Sequence, residues 1–451
     1  MLSYWCQHAW IGGAVATGVL LECEGGVLTS VARAPSPPRG AEVLCGLTLP
    51  GFADAHSHAF HRALRGTVQR DRGTFWTWRE TMYEVAAALD PDTYLALARA
   101  AYAEMALAGV TCVGEFHYLH HGPDGRRYSD PNAMGAALVE AAAEAGVRLT
   151  LLDTAYLSSG PTPDGAGVPP EGVQLRFSDG SAAAWAERAE ALAGSLATSA
   201  TVRCGAAVHS VRAVPARELA TVAEWARRSS APLHVHLSEQ PAENTACVEA
   251  YGRTPARLLA DHGVLGPLTT AVHATHLTPE DIGLLGGTRT GACFCPTTER
   301  DLADGIGPAP RLAAEGVRLS LGTDSHARVD LLAEARSLEL DQRLATGVRG
   351  HFTAAELLDA ATSAGHAALG WPDAGALEPG RLADFTTVAL DTVRTAGPPA
   401  ETAAETAVFA ATAADVRHTV VAGRHVVRDG VHLRVGDVGG ALAAAVGAVT
   451  P

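Results

Sequence analysis

The stretch Leu47-Thr-Leu-Pro-Gly-Phe-Ala-Asp-Ala-His56-Ser57-His58 reads as an apolar strand running straight into two histidines one residue apart. Side chains alternate along a strand, so positions i and i+2 share a face and the two imidazoles stand side by side. Paired imidazoles suit a borderline-soft divalent cation, and a zinc site with catalytic work to do keeps one position open for water. A lone His-x-His is more often a surface or core feature than a metal site. Three later patches reverse that preference: His234-Val235-His236-Leu237-Ser238-Glu239, Val272-His273-Ala274-Thr275-His276 and Gly322-Thr323-Asp324-Ser325, each preceded by an apolar run. His236 and Asp324 offer a third nitrogen and a carboxylate oxygen. Glu239, three residues past His236, is placed to exchange protons with water without being a ligand. His273 adds a second acid/base or polarising group, and Asp324 can also share a proton of the attacking water.

Working outward, apolar strands alternate with Ala-rich helical segments. Residues 92–109 read as an amphipathic helix ended by Gly109, and Val110-Thr-Cys-Val-Gly-Glu-Phe follows as a strand. The unit repeats as helix 131–146 into strand 147–154, helix 181–199 into strand 201–208 and helix 215–230 into strand 232–237. It continues as helix 253–263 into strand 269–274, a short helix near 279–285 into strand 290–294, helix 309–316 into strand 317–322, and helix 331–345. With the opening strand this makes eight strands, the pattern of an α/β, (β/α)8 TIM-like barrel over residues 51–371, with every candidate ligand at a strand's C-terminal end. Residues 1–50 and 372–451 carry short β-like runs, such as Phe385-Thr-Thr-Val-Ala-Leu, that predict a small β-sandwich domain built from both termini. The Pro/Gly-rich segment 158–180 follows a barrel strand and reads as an active-site loop.

A chain of 451 residues, 47% apolar and 18% charged, can bury a large core. Its net charge of -15 argues against nucleic acid or an anionic membrane as a partner, though not against a small acidic substrate. The eight cysteines show no disulfide-like pattern, and strand alternation accounts for Cys293-Phe-Cys295 better than a metal does. The N-terminus lacks the basic and apolar regions of a signal peptide, and no run reaches transmembrane length, so a cytoplasmic location is expected.

His56-x-His58, His236-x-x-Glu239, His273 and Asp324, with the tail Gly375-Ala-Leu-Glu-Pro-Gly-Arg-Leu-Ala-Asp384, resemble the amidohydrolase superfamily in its mononuclear deaminase branch. More narrowly, HSHAFHRALRG (56–66), GTFWTWRETMY (73–83), GEFHYLHHGPDGRRY (114–128), HSVRAV (209–214), HVHLSEQ (234–240), VHATHLT (272–278) and CPTTERDLADGIG (295–307) resemble the formimidoylglutamate deiminases. The resemblance implies one zinc per chain on His56, His58, His236 and Asp324, with Glu239, His273 and Asp324 catalytic. It implies hydrolysis of N-formimidoyl-L-glutamate to N-formyl-L-glutamate and ammonia, a step of histidine degradation, by zinc-activated water. The donor set itself accepts iron(II) as well as zinc. Barrels of this kind commonly pair, so a homodimer is expected.

A glutamate-derived substrate carries two carboxylates, and arginine's planar fork is their natural bidentate partner. Arg79 and Arg212 are the candidates, expected to act alike and to be replaceable without cost to the free protein. The resemblance adds Tyr118 and His209 as substrate contacts, and His61 where relatives often carry Gln. The competing reading is a deaminase of the same branch acting on an aminated heterocycle such as guanine, which needs an aromatic or apolar base pocket instead of two carboxylate-binding arginines.

Overall fold

Gly51 divides the decisive stretch between two sheets. In the computed structural model, which describes residues 2–70 and 72–450, the chain opens with β1 (Leu2–Ile11), β2 (Ala14–Glu24), β3 (Val27–Arg33) and β4 (Glu42–Pro50), and only then enters the barrel with β5 (Phe52–Ser57). The lead-in expected as one strand is therefore two. A Cβ at residue 51 would lie 2.3 Å from the side chain of Thr111, so only glycine fits where the chain passes between the sheets.

The barrel continues through β6 (Val110–His117), β7 (Arg148–Ala155), β8 (Val202–Val208), β9 (Leu233–Leu237), β10 (Thr269–His273), β11 (Gly291–Phe294) and β12 (Leu319–Leu321). All eight strands are parallel and paired in sequence order. They are buried almost throughout, as parallel strands covered by helices must be. Helix starts are written locally: Asp90 and Thr93 form a capping box for the helix Pro91–Leu107, with Pro91 in its first turn. The helix expected over 253–263 is preceded by another: Pro241–Tyr251 ends on Gly252 at φ 63°, and Pro255–Asp261 starts afresh. A helix at Phe75–Ala88, capped by Thr74, was not expected and carries Arg79.

The remaining strands, β13 (Phe385–Val388), β14 (Val416–Val421), β15 (Arg424–Arg428) and β16 (Val431–His432), complete the second sheet in the order β16-β15-β14-β13-β4-β1-β2-β3. This sheet curls on itself. Tyr4, Leu21, Leu28, Leu44, Phe385 and Val420 share one core, and the β2–β3 turn at Gly26 meets Ala422 of the β14–β15 turn. The result is the small sandwich from both termini. The C-terminal reading as β-like runs misses two helices, Ala403–Phe409 and Val438–Val449; the second, rich in Ala, Gly and Val, is capped by Asp437. No helix among the described residues is long and apolar enough to cross a membrane.

What positions the site is the seam where β12 meets β5. Ser57 and Asp324 bridge in parallel, the Asp324 N–H donates to His56 O at 2.9 Å, and the His58 N–H donates to Asp324 O at 3.1 Å. Buried Asp54 clamps the same seam, accepting from Thr323 N at 3.0 Å and Thr323 Oγ1 at 2.5 Å. Gly322 makes the approach possible, since a Cβ there would lie 2.7 Å from His56 O. Gly322→Ala is expected to destabilise the fold by about 1–3 kcal/mol through overpacking, and to weaken metal retention with it. Denaturant titration and metal analysis of that variant check this, and wild-type values in both would contradict it.

Candidate active site

Three imidazole nitrogens and a carboxylate oxygen converge at the C-terminal end of the barrel, all within 4.8 Å of one another. Nε2 of His56 and of His58 lie 3.2 and 3.3 Å from Asp324 Oδ1, and His236 Nε2 lies 3.1 Å from His56 Nε2. Backbone carbonyls orient two of the rings from behind. His58 Nδ1 donates to Phe116 O at 3.0 Å and His236 Nδ1 to His209 O at 2.8 Å, so each Nε2 turns a lone pair inward, as in metal-ligating histidines. Burial pushes His56 down to about 3, and burial with the neighbouring imidazoles holds His236 well below the usual range. Inward lone pairs crowded on one carboxylate repel unless a cation lies among them. Three nitrogens and one oxygen form a set that zinc or iron(II) accepts.

Two acid/base groups, Glu239 and His273, adjoin the donors. Ser238 takes a left-handed φ of 52°, which turns the chain between His236 and Glu239, and its N–H is held by Glu243 Oε1 at 2.9 Å. His273, at φ 67°, places Nε2 3.9 Å from both Glu239 Oε1 and Asp324 Oδ2, while its Nδ1 faces Glu299 Oε1 at 3.4 Å. Burial disfavours charge on His273, but the carboxylates of Glu239, Glu299 and Asp324 outweigh it and hold the ring protonated well above the ordinary histidine range. Left-handed conformations at Ser238, His273 and Asp324 are costly for non-glycine residues and concentrate at these strand ends.

From this floor a cavity of about 370 Å³ opens outward, and all five residues expected to meet substrate line it. His61 is buried in the 3-10 turn Ala59–Leu64, kept uncharged by burial, with Nε2 3.0 Å from the Tyr118 hydroxyl. The His209 ring packs between His236 and Tyr118, at 5.1 and 5.3 Å between centroids. The two arginines differ, contrary to expectation. Arg79 stacks on Trp76 at 4.5 Å and Tyr83 at 5.6 Å, with no carboxylate partner among the described residues. Arg212 is already engaged: Nε lies 3.1 Å from Glu243 Oε2 and Nη2 3.4 Å from Glu239 Oε2. The segment 158–180 lines the cavity through Ser158–Pro161 and Phe177. It is anchored by Arg176, which donates to His121 O at 2.9 Å, to Leu89 O at 2.6 Å and to Ala86 O.

A second cluster, His117, His120 and Asp153, has the spacing of a metal group, but its carboxylate is already committed. Asp153 accepts from Arg188 at 2.7 and 2.9 Å and from Trp185 Nε1 at 2.8 Å, and His120 Nε2 donates to Thr154 O at 2.9 Å. Cys293 and Cys295 are unpaired and pack in a small apolar cluster with Ala55 and Val272. Sequence reasoning passed over the buried carboxylates that brace the site. Asp54 holds the seam, and Glu115 accepts from Ala59 N at 2.8 Å and Ser57 Oγ at 3.1 Å. Burial pushes their carboxyls up to about 7 and about 8 respectively. A carboxylate inside an otherwise apolar strand, as in Gly51-Phe-Ala-Asp54 and Val113-Gly-Glu115, was the available signal. Glu243 and Glu299 lie in first turns of helices, where acidic residues are too common to stand out.

The model of the amidohydrolase family matches residues 47–426. Formimidoylglutamate deiminase of Pseudomonas aeruginosa is 36% identical over 443 residues, 96% of each chain. The 8-oxoguanine deaminase of the same organism is 31% identical over 392 residues, 85% of this chain and 84% of that one. Among solved structures, an amidohydrolase from Brucella melitensis superposes with a TM-score of 0.92 at 30% identity, covering 100% of both chains.

The convergent cluster predicts one divalent metal per folded chain, lost in His236→Ala and Asp324→Ala and kept in His117→Ala. Elemental analysis of the purified variants checks this. Metal lost with His117 and kept without His236 would reverse the assignment.

Proposed function

The chain belongs to the amidohydrolase family, and on that footing we propose that it hydrolyses N-formimidoyl-L-glutamate to N-formyl-L-glutamate and ammonia. The observation that carries this reading is Arg79, a guanidinium on the cavity wall with no carboxylate partner among the described residues, above a floor of metal donors. An acidic substrate supplies the missing partner, with charge-assisted bonds roughly twice as strong as neutral ones. Arg212, Tyr118, His209 and His61 complete the assigned contacts, and the 36% identity to a formimidoylglutamate deiminase supports the same substrate class. The aromatic wall of Phe75, Trp76, Trp78 and Phe177, with the 31% identity to an 8-oxoguanine deaminase, favours a heterocycle deaminase as the second reading.

A zinc or iron(II) ion held by His56, His58, His236 and Asp324 would supply the Lewis acidity that makes water a nucleophile near neutral pH. Asp324 Oδ2, free of the cluster, accepts a proton from the attacking water. His273, facing Glu239 and Glu299, donates a hydrogen bond from Nε2 to the oxygen adding at the amidine carbon. Glu239 relays the two protons given up by that water, the first by way of Asp324, to the nitrogen that leaves as ammonia, and the oxygen stays on carbon as the formyl carbonyl. Tyr118 and His61 close the cavity around the reacting carbon.

Ammonia release from N-formimidoyl-L-glutamate, compared with guanine and 8-oxoguanine, tests the assignment, and a preference for either purine would overturn it. Glu239→Gln is expected to keep its metal while turnover falls about 10²–10⁴-fold, the usual worth of a general acid/base; turnover near wild type would remove Glu239 from the mechanism. The two arginines should separate. Arg79→Met lowers kcat/KM by about 1.5–3 kcal/mol of transition-state stabilisation with the melting temperature unchanged. Arg212→Met also destabilises the fold, because it strands the buried Glu243 carboxylate without its cation. Kinetics and thermal melts of both variants decide this, and equal melts would contradict the difference between them.

A further inference from the structure

Gln174 stands behind two tyrosines of the cavity wall. It lies in the anchored segment 158–180, is only 8% exposed and is not among the lining residues, whereas Tyr83 and Tyr156 are. Its Oε1 accepts from Glu171 N at 3.3 Å, which fixes the amide orientation and leaves Nε2 as the donor side. Nε2 spends both hydrogens, one on the Tyr83 hydroxyl at 3.0 Å and one on the Tyr156 hydroxyl at 2.9 Å. Each phenol oxygen therefore accepts from behind and must send its own proton elsewhere. Both hydroxyl oxygens meet the same amide nitrogen, so a bond between them would use one of those protons; at least one is left for the cavity. Tyr156 keeps its proton, since burial raises it far above the physiological range.

The position of this pair follows from a chain of contacts leading away from the metal donors. His236 touches His209 at 5.1 Å between centroids, His209 touches Tyr156 at 4.7 Å, Gln174 joins Tyr156 to Tyr83, and Arg79 lies over Tyr83 at 5.6 Å. Beyond them Trp76, 49% exposed, marks the rim. A cation and oriented hydroxyl donors at the outer end of a cavity are what a carboxylate requires. We propose that Tyr83 and Tyr156, with the hydroxyl hydrogen that their contact with Gln174 and with each other leaves free directed into the cavity, form with Arg79 the corner that binds the carboxylate of the substrate farther from the metal donors. Gln174 is the positioning residue of this corner and touches no substrate. The proposal rests on the acidic-substrate reading above and extends it to the residues that select for the second charge.

Gln174→Glu tests it directionally. A carboxylate keeps the shape but only accepts, so both hydroxyls turn back toward residue 174 and away from the cavity. The probes are glutarate and the uncharged glutaramide, titrated calorimetrically into the metal-loaded protein, with thermal melts confirming the fold. Tyr83→Phe, Tyr156→Phe and Gln174→Glu should each shrink the preference for glutarate over glutaramide by about tenfold, as loss of a bond to a charged group does. Gln174→Glu should add nothing further in the Tyr83→Phe/Tyr156→Phe background. Unchanged preference in all three variants, or a Gln174→Glu effect that persists without the tyrosine hydroxyls, overturns the corner. If the tyrosine-dependent preference holds while wild type releases no ammonia from N-formimidoyl-L-glutamate, the corner stands as an acid-binding site and the deimination reading falls.

Discussion

Closure of the barrel and assembly of the donor cluster are one event. The backbone of His56, His58 and Asp324 makes the hydrogen bonds across the β5–β12 seam, and the side chains of the same residues face the cluster. The geometry of the donors is therefore set by the fold's own closing bonds and not by a flexible loop. Gly322 permits the approach, Asp54 clamps it with two bonds to Thr323, and Glu115 pins the turn that follows through Ala59 and Ser57. A site held this way is preorganised, which matters because misplacement by about 1 Å costs roughly 10²-fold in rate.

Preorganisation has an electrostatic counterpart. Around the floor lie Asp54, Glu115, Glu239, Glu243, Glu299 and Asp324, all buried, so each needs a donor or a cation. Backbone N–H groups serve Asp54, Glu115, Glu243 and Glu299; Arg212 serves Glu239 and Glu243; protonated His273 lies among Glu239, Glu299 and Asp324. A divalent cation on the cluster would supply the remaining positive charge. This explains how one arginine of the cavity is committed to the protein while the other, stacked on Trp76, is open to a ligand.

The barrel was legible because its signal repeats: eight apolar strands alternate with helical segments, and the candidate metal donors sit at or just beyond strand C-terminal ends. Convergence of His56, His58, His236 and Asp324 followed from that placement alone, since barrel strands bring their ends to one mouth. Other features depend on long-range contact and leave little local trace. The split of 47–57 between two sheets is decided by Thr111 packing on Gly51, 60 residues away in sequence. Commitment of Arg212 is decided by Glu243 in the helix Pro241–Tyr251, and the bracing roles of Asp54 and Glu115 by backbone groups they meet only when the barrel closes. The helix at Val438–Val449 was misread for a different reason, since its Ala, Gly and Val content is ambiguous between helix and strand until packing on the helix Pro91–Leu107 selects one.

The central claim is that three histidine nitrogens and one aspartate oxygen, gathered at the C-terminal end of the barrel, hold a single cation. X-ray absorption at the metal edge of the purified protein measures that coordination directly. The account predicts only nitrogen and oxygen neighbours at about 2.0–2.2 Å, with the outer-shell signature of imidazole. Sulfur scattering at about 2.3 Å, which would place the metal on Cys293 or Cys295, or a second metal at about 3.5–4 Å, would contradict it.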